Sequence, residues 1–143
     1  MAPRQVGLVE TNDVQSIVIV DDEKSFTDMI GNLLQEHFTV PVYTFTRPED
    51  ALKKIAALRP GIIVTDYYMP GMNGLEFIRA VHGLSPDIPS LMITGHSFNL
   101  DEYSPESLGN LKEILPKPFR WQQLASAICR HWHGDNPPAI RIT

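Results

Sequence analysis

Short apolar runs alternate along the chain with longer segments whose apolar residues recur every three or four positions. The first run, residues 17–20, is β-branched throughout and stops at two acids, as expected of a strand buried on both faces. A second, short strand is predicted over residues 40–45. Between them, helical spacing predicts a helix from about residue 23 to about residue 37, with an apolar face made of Phe26, Met29, Ile30, Leu33 and Leu34.

The next two units repeat this design. Thr46 is predicted to cap a helix that has Pro48 in its first turn, and Asn73 is predicted to cap the helix after it. Between these helices, residues 62–66 form another apolar run that ends on an acid. Residues 90–94 are the fourth predicted strand.

The last third of the chain is less regular. Residues 95–110 include Asn, Ser, Pro and Gly, so any helix there is expected to be short. Residues 111–115 are the fifth predicted strand. The final helix follows Lys117-Pro118 and places an apolar row on one face: Trp121, Leu124, Ala125, Ile128 and Trp132. Trp121 is predicted to be core, whereas for Trp132 a core position and a partner-binding position both stay open.

Five strands that alternate with about five helical segments predict one doubly wound, parallel α/β sheet. The domain is predicted to span residues 16–133, after a flexible lead-in of residues 1–15 and before a tail of residues 134–143. A chain of 143 residues suits a single domain of this kind.

Charge and composition narrow the classes of partner. Seventeen acids against twelve bases give a net charge of −5, which repels nucleic-acid phosphates and anionic membranes. No apolar run approaches the roughly 18 residues of a membrane span, and the start of the chain lacks the apolar centre of a signal peptide. The single cysteine, Cys129, has no internal disulfide partner. These features predict a cytoplasmic protein that binds neither nucleic acid nor membranes directly.

Polar residues that suit catalysis end the predicted strands. Open α/β sheets bind their ligands at the carboxyl ends of strands, and those ends carry Asp21, Asp22, Asp66, Thr94 and Lys117. Carboxylates at neighbouring strand ends repel one another unless a cation neutralises them. Oxygen ligands of this kind suit Mg²⁺, which completes its shell with water and phosphate oxygens. The sequence therefore predicts a magnesium site.

Phosphoryl chemistry fits the same set of side chains. Lys117 offers a compact positive charge and Thr94 offers a hydroxyl donor, and both suit phosphoryl oxygens. Asp66 is then left as the acceptor, because a carboxylate can attack phosphorus and form an acyl phosphate.

Four motifs carry a resemblance to a known family: VDDE at residues 20–23, VTDYYMPGMNG at 64–74, ITG at 93–95 and LPKPF at 115–119. From about residue 15 to about residue 133 the chain resembles a response regulator receiver domain. The resemblance implies a flavodoxin-like fold with strand order 2-1-3-4-5. It also implies that Asp66 accepts a phosphoryl group from a phosphohistidine on a sensor histidine kinase or histidine phosphotransfer protein.

The resemblance assigns roles to the other strand-end residues. Asp22 and Asp66 would bind Mg²⁺ with the backbone carbonyl of Tyr68, and Asp21 would act through water. Thr94 and Lys117 would contact the phosphoryl group, and the Lys117-Pro118 bond is often cis in the family. The signal would pass to a downstream protein target through a changed surface, and a homodimer is compatible with this role.

Some positions bear on the output. Ile114 stands three residues before the lysine, where the family commonly has an aromatic switch residue, so activation is expected to travel through Thr94 and residues 95–110. Gly95 replaces a small residue that is usually Ala, which makes the loop looser. Tyr68 and His96 lie where the family tunes the lifetime of the phosphoryl group.

Two other functions compete with this one. An aspartyl-phosphate phosphatase also uses a strand-end Asp and Mg²⁺. Such enzymes carry the motif Asp-x-Asp at the nucleophile, whereas Tyr68 stands here in place of the second Asp. A receiver-like scaffold usually lacks an acid or the lysine, and this chain keeps them. Asp21 and Asp22 alone would be a helix-capping pair, and only the set with Asp66, Thr94 and Lys117 favours the metal. A signalling domain, rather than an enzyme, is therefore predicted.

Overall fold

Five parallel strands form the centre of the computed structural model, which describes residues 14–95, 100–134 and 138–140. The strands are β1 (Ser16–Val20), β2 (Val42–Phe45), β3 (Pro60–Asp66), β4 (Ser90–Thr94) and β5 (Leu111–Pro116). Their order in the sheet is β2-β1-β3-β4-β5, with every neighbouring pair parallel. The predicted flavodoxin-like, doubly wound sheet is therefore confirmed.

Four α-helices cover the two faces of the sheet in the described part of the chain. They are α1 (Lys24–His37), α2 (Pro48–Leu58), α3 (Gly74–Leu84) and α4 (Trp121–His131). Helices α1 and α4 share a core cluster with Ile17 and Ile19, and α2 and α3 share one with Val18 and Val20. Successive strand residues point to opposite faces, so β1 is buried on both, as its apolar run predicts. None of the helices described is long and apolar enough to cross a bilayer.

In its described residues, the connection from β4 to β5 contains two 3-10 turns and no α-helix. The two turns are Leu100–Glu102 and Pro105–Leu108. Pro105 lies in the first turn of the second segment, and Gly109 follows its end with a φ of 61°. Pro and Gly limit helix length here, as the composition of residues 95–110 predicts. The five predicted helical segments are thus four α-helices and this pair of turns.

Helix α2 begins in a different way from the prediction. The N-cap is Arg47 and not Thr46, and the Arg47 side chain makes no cap hydrogen bond. Pro48 explains the difference, because its fixed φ and missing N–H suit the first helical position. The residue before a proline is in turn held in the extended region that an N-cap needs. The prediction of Thr46 as the cap was therefore wrong.

Strand β2 begins at Val42 and is shorter than the predicted strand of residues 40–45. The Gln35 side chain donates to the Val40 carbonyl at 3.3 Å and accepts from the Val42 N–H at 2.9 Å. Pro41, which stands between them, has no N–H to donate to a sheet. The Gln35 side chain therefore supplements the strand partner at this end of β2, where the Ile17 N–H donates to the Pro41 carbonyl at 3.0 Å.

The end of the chain returns to the carboxyl end of α1. Phe38 forms an antiparallel bridge with Ile140, and the Thr39 N–H donates to the Ala139 carbonyl at 3.0 Å. Pro138 is buried. Residues 138–140 of the predicted tail thus pack on the domain. Residues 1–13 of the predicted lead-in lie outside the described residues.

Candidate functional site

Three carboxylates converge where β1 and β3 end. Asp21 and Asp22 follow β1, and Asp66 is the last residue of β3, the strand that pairs with β1. One oxygen of each carboxylate lies within 4.8 Å of the others. Asp21 is buried, Asp22 is exposed, and 13% of the Asp66 side chain is exposed. The structure therefore brings together the three acids that strand-end reasoning places at one site.

Backbone hydrogen bonds orient two of these carboxylates. Asp21 Oδ1 accepts from the Glu23 N–H at 2.9 Å, just before α1 begins. Asp66 Oδ1 accepts from the Tyr67 N–H at 2.9 Å. Asp21 and Asp66 are thus each held by the loop that follows their own strand.

The loop after Asp66 closes tightly on the start of α3. The Gly74 N–H donates to the Tyr67 carbonyl at 2.8 Å, and a Cβ at Gly74 would collide with the Asp66 carbonyl oxygen. Asn73 caps the helix, as predicted, through reciprocal 2.9 Å hydrogen bonds with Glu76. A residue without a side chain is therefore needed at position 74 to keep the acceptor loop against α3.

The Gly74→Ala substitution is expected to lower the free energy of unfolding by about 1–3 kcal/mol, because the new methyl group pushes the Asp66 loop away from α3. Urea denaturation measures this change. Gly83→Ala is the matched control, since Gly83 lies in the same helix and a Cβ there meets no atom within 4 Å. A gain of up to about 1 kcal/mol is expected for the control. Equal effects of the two substitutions would contradict the close contact.

Lys117 enters the carboxylate cluster from the end of β5. Its Nζ donates to Asp21 Oδ2 at 3.1 Å and lies 3.8 Å from Asp66 Oδ1. Its backbone N–H donates to the carbonyl of Thr94, which is buried at the end of β4, at 2.8 Å. The bond from Lys117 to Pro118 is cis, as the resemblance implies. Lys117 therefore joins the three acids, and its backbone hydrogen bond ties the end of β5 to the end of β4 at Thr94.

One side chain beside the cluster was not predicted from the sequence to have a part in the site. Phe26, which was predicted only to belong to the apolar face of the first helix, lies against Lys117, with Nζ 4.6 Å from the ring centroid. Contacts between residues so far apart in the chain follow no local pattern. The sequence feature that could have indicated this contact is the position of Phe26, an aromatic residue in the first turn of the helix that follows Asp21 and Asp22.

The surroundings raise the pKa of the Asp66 carboxyl group. Burial is the largest cause, and the negative charge of Asp21 adds to it, with a smaller effect from Asp22. The Lys117 ammonium and the Tyr67 N–H lower this pKa but do not compensate. The cluster therefore carries unbalanced negative charge, which a bound cation would neutralise.

The set of donor atoms fits a small divalent cation. Carboxylate oxygens are hard ligands, and three of them within 4.8 Å of one another can share one ion. Mg²⁺ typically takes one or two carboxylates and keeps several waters, so this cluster offers enough protein ligands for the ion. The backbone carbonyl of Tyr68 stays a predicted ligand.

The sequence also singled out positions other than the strand-end residues. Tyr68 is 57% exposed and meets the Tyr67 ring edge-on, with the centroids 4.6 Å apart. Ile114 is half-buried on β5, and Gly95 is exposed, with no atom of the described residues within 4 Å of an added Cβ. His96 lies outside the described residues. Their effects on output and on phosphoryl lifetime stay predictions.

A family model of the response regulator receiver domain matches residues 17–129, from β1 into α4. The chain belongs to the response regulator receiver domain family. The matched range contains all the strand-end residues described above, so the family assignment and the geometry concern the same part of the molecule.

This receiver domain is similar to parts of longer regulatory proteins. The transcriptional regulatory protein YvrH of Bacillus subtilis is 33% identical over 116 residues, which cover 81% of this chain and 48% of that protein. The cyclic di-GMP phosphodiesterase response regulator RpfG of Xanthomonas campestris is 42% identical over 82 residues, which cover 55% of this chain and 22% of that protein. The chain thus spans less than half the length of these relatives.

Solved receiver structures share its fold. The chemotaxis protein CheY4 of Vibrio cholerae has a TM-score of 0.73 and 29% identity, with 82% of this chain and 98% of that chain covered. The response regulator TrrA of Thermotoga maritima, in complex with Mg(2+)-BeF, has a TM-score of 0.68 and 26% identity, with 81% and 97% covered. A receiver domain thus accounts for nearly the whole of both solved chains.

Proposed function

We propose that this receiver domain accepts a phosphoryl group on Asp66 from a phosphohistidine of a sensor histidine kinase or histidine phosphotransfer protein, with Mg²⁺ as cofactor. The observation that carries the proposal is the place of Asp66 in the carboxylate cluster, 3.8 Å from Lys117 Nζ. A nucleophilic carboxylate, a cation site and an ammonium group are the parts that phosphoryl transfer needs. The chemistry of the chain is limited to phosphorylation and dephosphorylation of Asp66.

In the transfer, a carboxylate oxygen of Asp66 forms a bond to phosphorus while the phosphorus–nitrogen bond of the donor histidine breaks. The electron pair of the broken bond stays on the imidazole nitrogen, and a proton carried by the other ring nitrogen keeps the leaving imidazole neutral, so the donor returns to an unmodified histidine. Lys117 and the Thr94 hydroxyl contact the phosphoryl oxygens and stabilise the charge on them. Reaction rate depends on these contacts because the protein contributes mainly position and charge.

The proposed metal roles are those that the family resemblance implies. Asp22 and Asp66 would bind the ion together with the Tyr68 backbone carbonyl, and Asp21 would act through a water molecule. Bound Mg²⁺ supplies neutralisation of the negative charge that builds up around the phosphoryl oxygens. The pKa of the Asp66 carboxyl group, raised by burial and by Asp21, supports a role for this cation before transfer.

Phosphorylation is proposed to change a protein-binding surface. The added charge on Asp66 reorients Thr94 and its loop, which shifts residues 95–110 and α4. Ile114 supplies no aromatic ring for this movement, so backbone shifts in residues 95–110 carry it. The signal passes to a downstream target protein in the cytoplasm. A homodimer formed through the same surface is compatible with this output.

A protein donor needs a surface beside Asp66, and an apolar groove opens there between α1 and the loop that precedes α4. The groove is lined by Phe26, Met29, Ile30, Leu33, Lys117, Pro118, Phe119 and Trp121. Met29 is apolar and yet 53% exposed. Exposed apolar surface next to a reactive group is typical of a docking site, so the donor is proposed to cover this groove.

The Met29→Glu substitution is expected to slow phosphoryl transfer from a protein donor at least about fivefold, because it places a charge in the apolar contact. Its phosphorylation by acetyl phosphate, which needs no docking surface, is expected to stay within about twofold of the wild type. Transfer rates from a phosphorylated histidine phosphotransfer protein and from acetyl phosphate measure the two effects. Leu84→Glu is the control, since Leu84 is 63% exposed but ends α3 outside the groove. If both variants take phosphate from the protein donor at the wild-type rate, the docking proposal is wrong.

Intact-mass measurement tests the proposed function as a whole. The protein is incubated with acetyl phosphate, with and without Mg²⁺, and with EDTA as a further control. The proposal predicts one added phosphoryl mass that depends on Mg²⁺. Rapid hydrolysis would hide this adduct, so binding of beryllofluoride with Mg²⁺ is measured in parallel. Failure of both would overturn the proposal and favour a receiver-like scaffold.

A further inference from the structure

The ammonium group of Lys117 has an aromatic neighbour in addition to its acidic ones. The Phe26 ring centroid lies 4.6 Å from Nζ, while Asp21 Oδ2 lies 3.1 Å and Asp66 Oδ1 3.8 Å from the same atom. Only 26% of the lysine side chain is exposed. The ring therefore borders the ammonium group at the active site and shields part of it from water.

The ring is itself held in place. Phe119 meets Phe26 edge-on, with the ring centroids 6.1 Å apart and the planes at 82°. Both rings are half-buried and pack against the core cluster that α1 and α4 share. Phe119 follows Lys117 by two residues, so the same short loop carries both the lysine and the ring that fixes its aromatic neighbour.

An aromatic face holds a cation without competing for its hydrogen bonds. The ring attracts the ammonium group through its quadrupole and leaves the N–H donors of the lysine to the carboxylates and the phosphoryl group. Lysine has a long flexible stem and a strongly hydrated head, so an ammonium group released from Asp21 would otherwise turn into solvent. A group that limits this movement keeps the charge where phosphoryl oxygens arrive.

We propose that Phe26 is a positioning residue for Lys117 in the phosphorylation of Asp66. The proposal rests on the proposed function of the site. It assigns to Phe26 an action through the lysine and no contact with the phosphoryl group. Phe26 also lines the docking groove, but its positioning role is distinct from docking. The effect on the phosphorylation rate is expected with a small-molecule donor, which needs no docking surface.

The test compares Phe26→Leu, which removes the ring face, with Phe26→Tyr, which keeps it. Phosphorylation by acetyl phosphate at saturating Mg²⁺ is expected to slow about three- to tenfold in the Leu variant and to stay within about twofold in the Tyr variant. The dissociation constant for Mg²⁺ is expected to stay within about twofold in both. In NMR spectra, the ring-current shift of the Lys117 side-chain protons is expected to be present in the wild type and the Tyr variant and absent in the Leu variant.

Each outcome decides between the proposals. A wild type that neither gains a phosphoryl group nor binds beryllofluoride refutes the proposed function itself. If the wild type is phosphorylated and the Leu variant reacts at the same rate, the role of Phe26 is refuted while the proposed function stands. The same holds if the Leu and Tyr variants are slowed equally. If the Leu variant unfolds, Phe26→Met fills a similar volume without a ring, and the same comparison with the Tyr variant applies.

Discussion

The Asp66→Asn variant is expected to gain no phosphoryl group from acetyl phosphate and, without Mg²⁺, to be more stable than the wild type. The amide offers no anionic oxygen to attack phosphorus, so the covalent step is lost completely. The amide is also neutral. Because burial and Asp21 raise the pKa of the Asp66 carboxyl group, its ionised form costs folding free energy that Asn does not incur.

The sign of the pH dependence follows from this raised pKa. The penalty is absent while Asp66 is protonated in both the folded and the unfolded state; it grows as the pH rises above the unfolded-state pKa and is complete above the folded-state pKa. At neutral pH the Asn variant is therefore expected to be more stable than the wild type, and the difference is expected to shrink in acid. Thermal or urea unfolding at several pH values, in EDTA, measures it.

Asp28→Asn serves as the control for this prediction. Asp28 is an exposed acid on α1 that pairs with Lys24 and lies outside the cluster. Its variant is expected to accept phosphate like the wild type and to gain no stability at neutral pH. An Asp66→Asn protein that still gains a Mg²⁺-dependent phosphoryl group, or that is no more stable than the wild type at neutral pH, would contradict the account of this site.

Mg²⁺ is expected to stabilise the wild type strongly and the variants Asp21→Asn and Asp22→Asn much less. A ligand that binds only the folded state adds about 2.7 kcal/mol at a hundred times its dissociation constant. The three clustered carboxylates supply both the charge and the oxygen ligands for this binding. Loss of either acid is expected to weaken Mg²⁺ affinity at least about tenfold.

Titration of the melting temperature with Mg²⁺, supported by calorimetry, measures these affinities. Asp50→Asn is the matched control, because Asp50 is an exposed acid of α2 that does not belong to the cluster. Its variant is expected to keep the wild-type affinity. Equal Mg²⁺ affinity in all three variants would mean that the ion binds elsewhere or responds only to net charge.

Much of this site was predictable because short, continuous apolar runs identify the strands, and the family resemblance implies their order in the sheet. Residues 17–20 and 62–66 read as strands buried on both faces, and parallel strands end at the same edge of the sheet. Asp21, Asp22 and Asp66 could therefore be placed together before their distances were known. The chemistry followed from residue type, since carboxylates in such a group need a cation.

The pairing of side chains across the site was not predictable in the same way. Lys117 was expected to contact a phosphoryl group, whereas its hydrogen bond in the structure is to Asp21, 96 residues away in the chain. The contact with Phe26 depends likewise on rotamers and on the packing of α1 against the last loop. Local sequence patterns describe which face a residue occupies, and they carry no information on such partners.

The burial of Trp121 was also not predictable from the local sequence pattern. Trp121 has helical spacing with core residues and was predicted to be core, yet it is half-buried, stacks on His37 with centroids 4.1 Å apart and lines the groove. Periodicity assigns a residue to the apolar face but does not show where that face runs out of neighbours. The edge of an apolar face is also where binding surfaces form.

The location of the phosphoryl group decides whether Asp66 is the phosphoryl acceptor. Sodium borohydride reduces an aspartyl phosphate to homoserine, so the protein is treated with acetyl phosphate and Mg²⁺, reduced, digested and sequenced by mass spectrometry. We expect homoserine at position 66, and none when Mg²⁺ is withheld. Homoserine at another aspartate would contradict the role of Asp66 as acceptor. A protein that carries an added phosphoryl mass but shows no homoserine at position 66 would also contradict it.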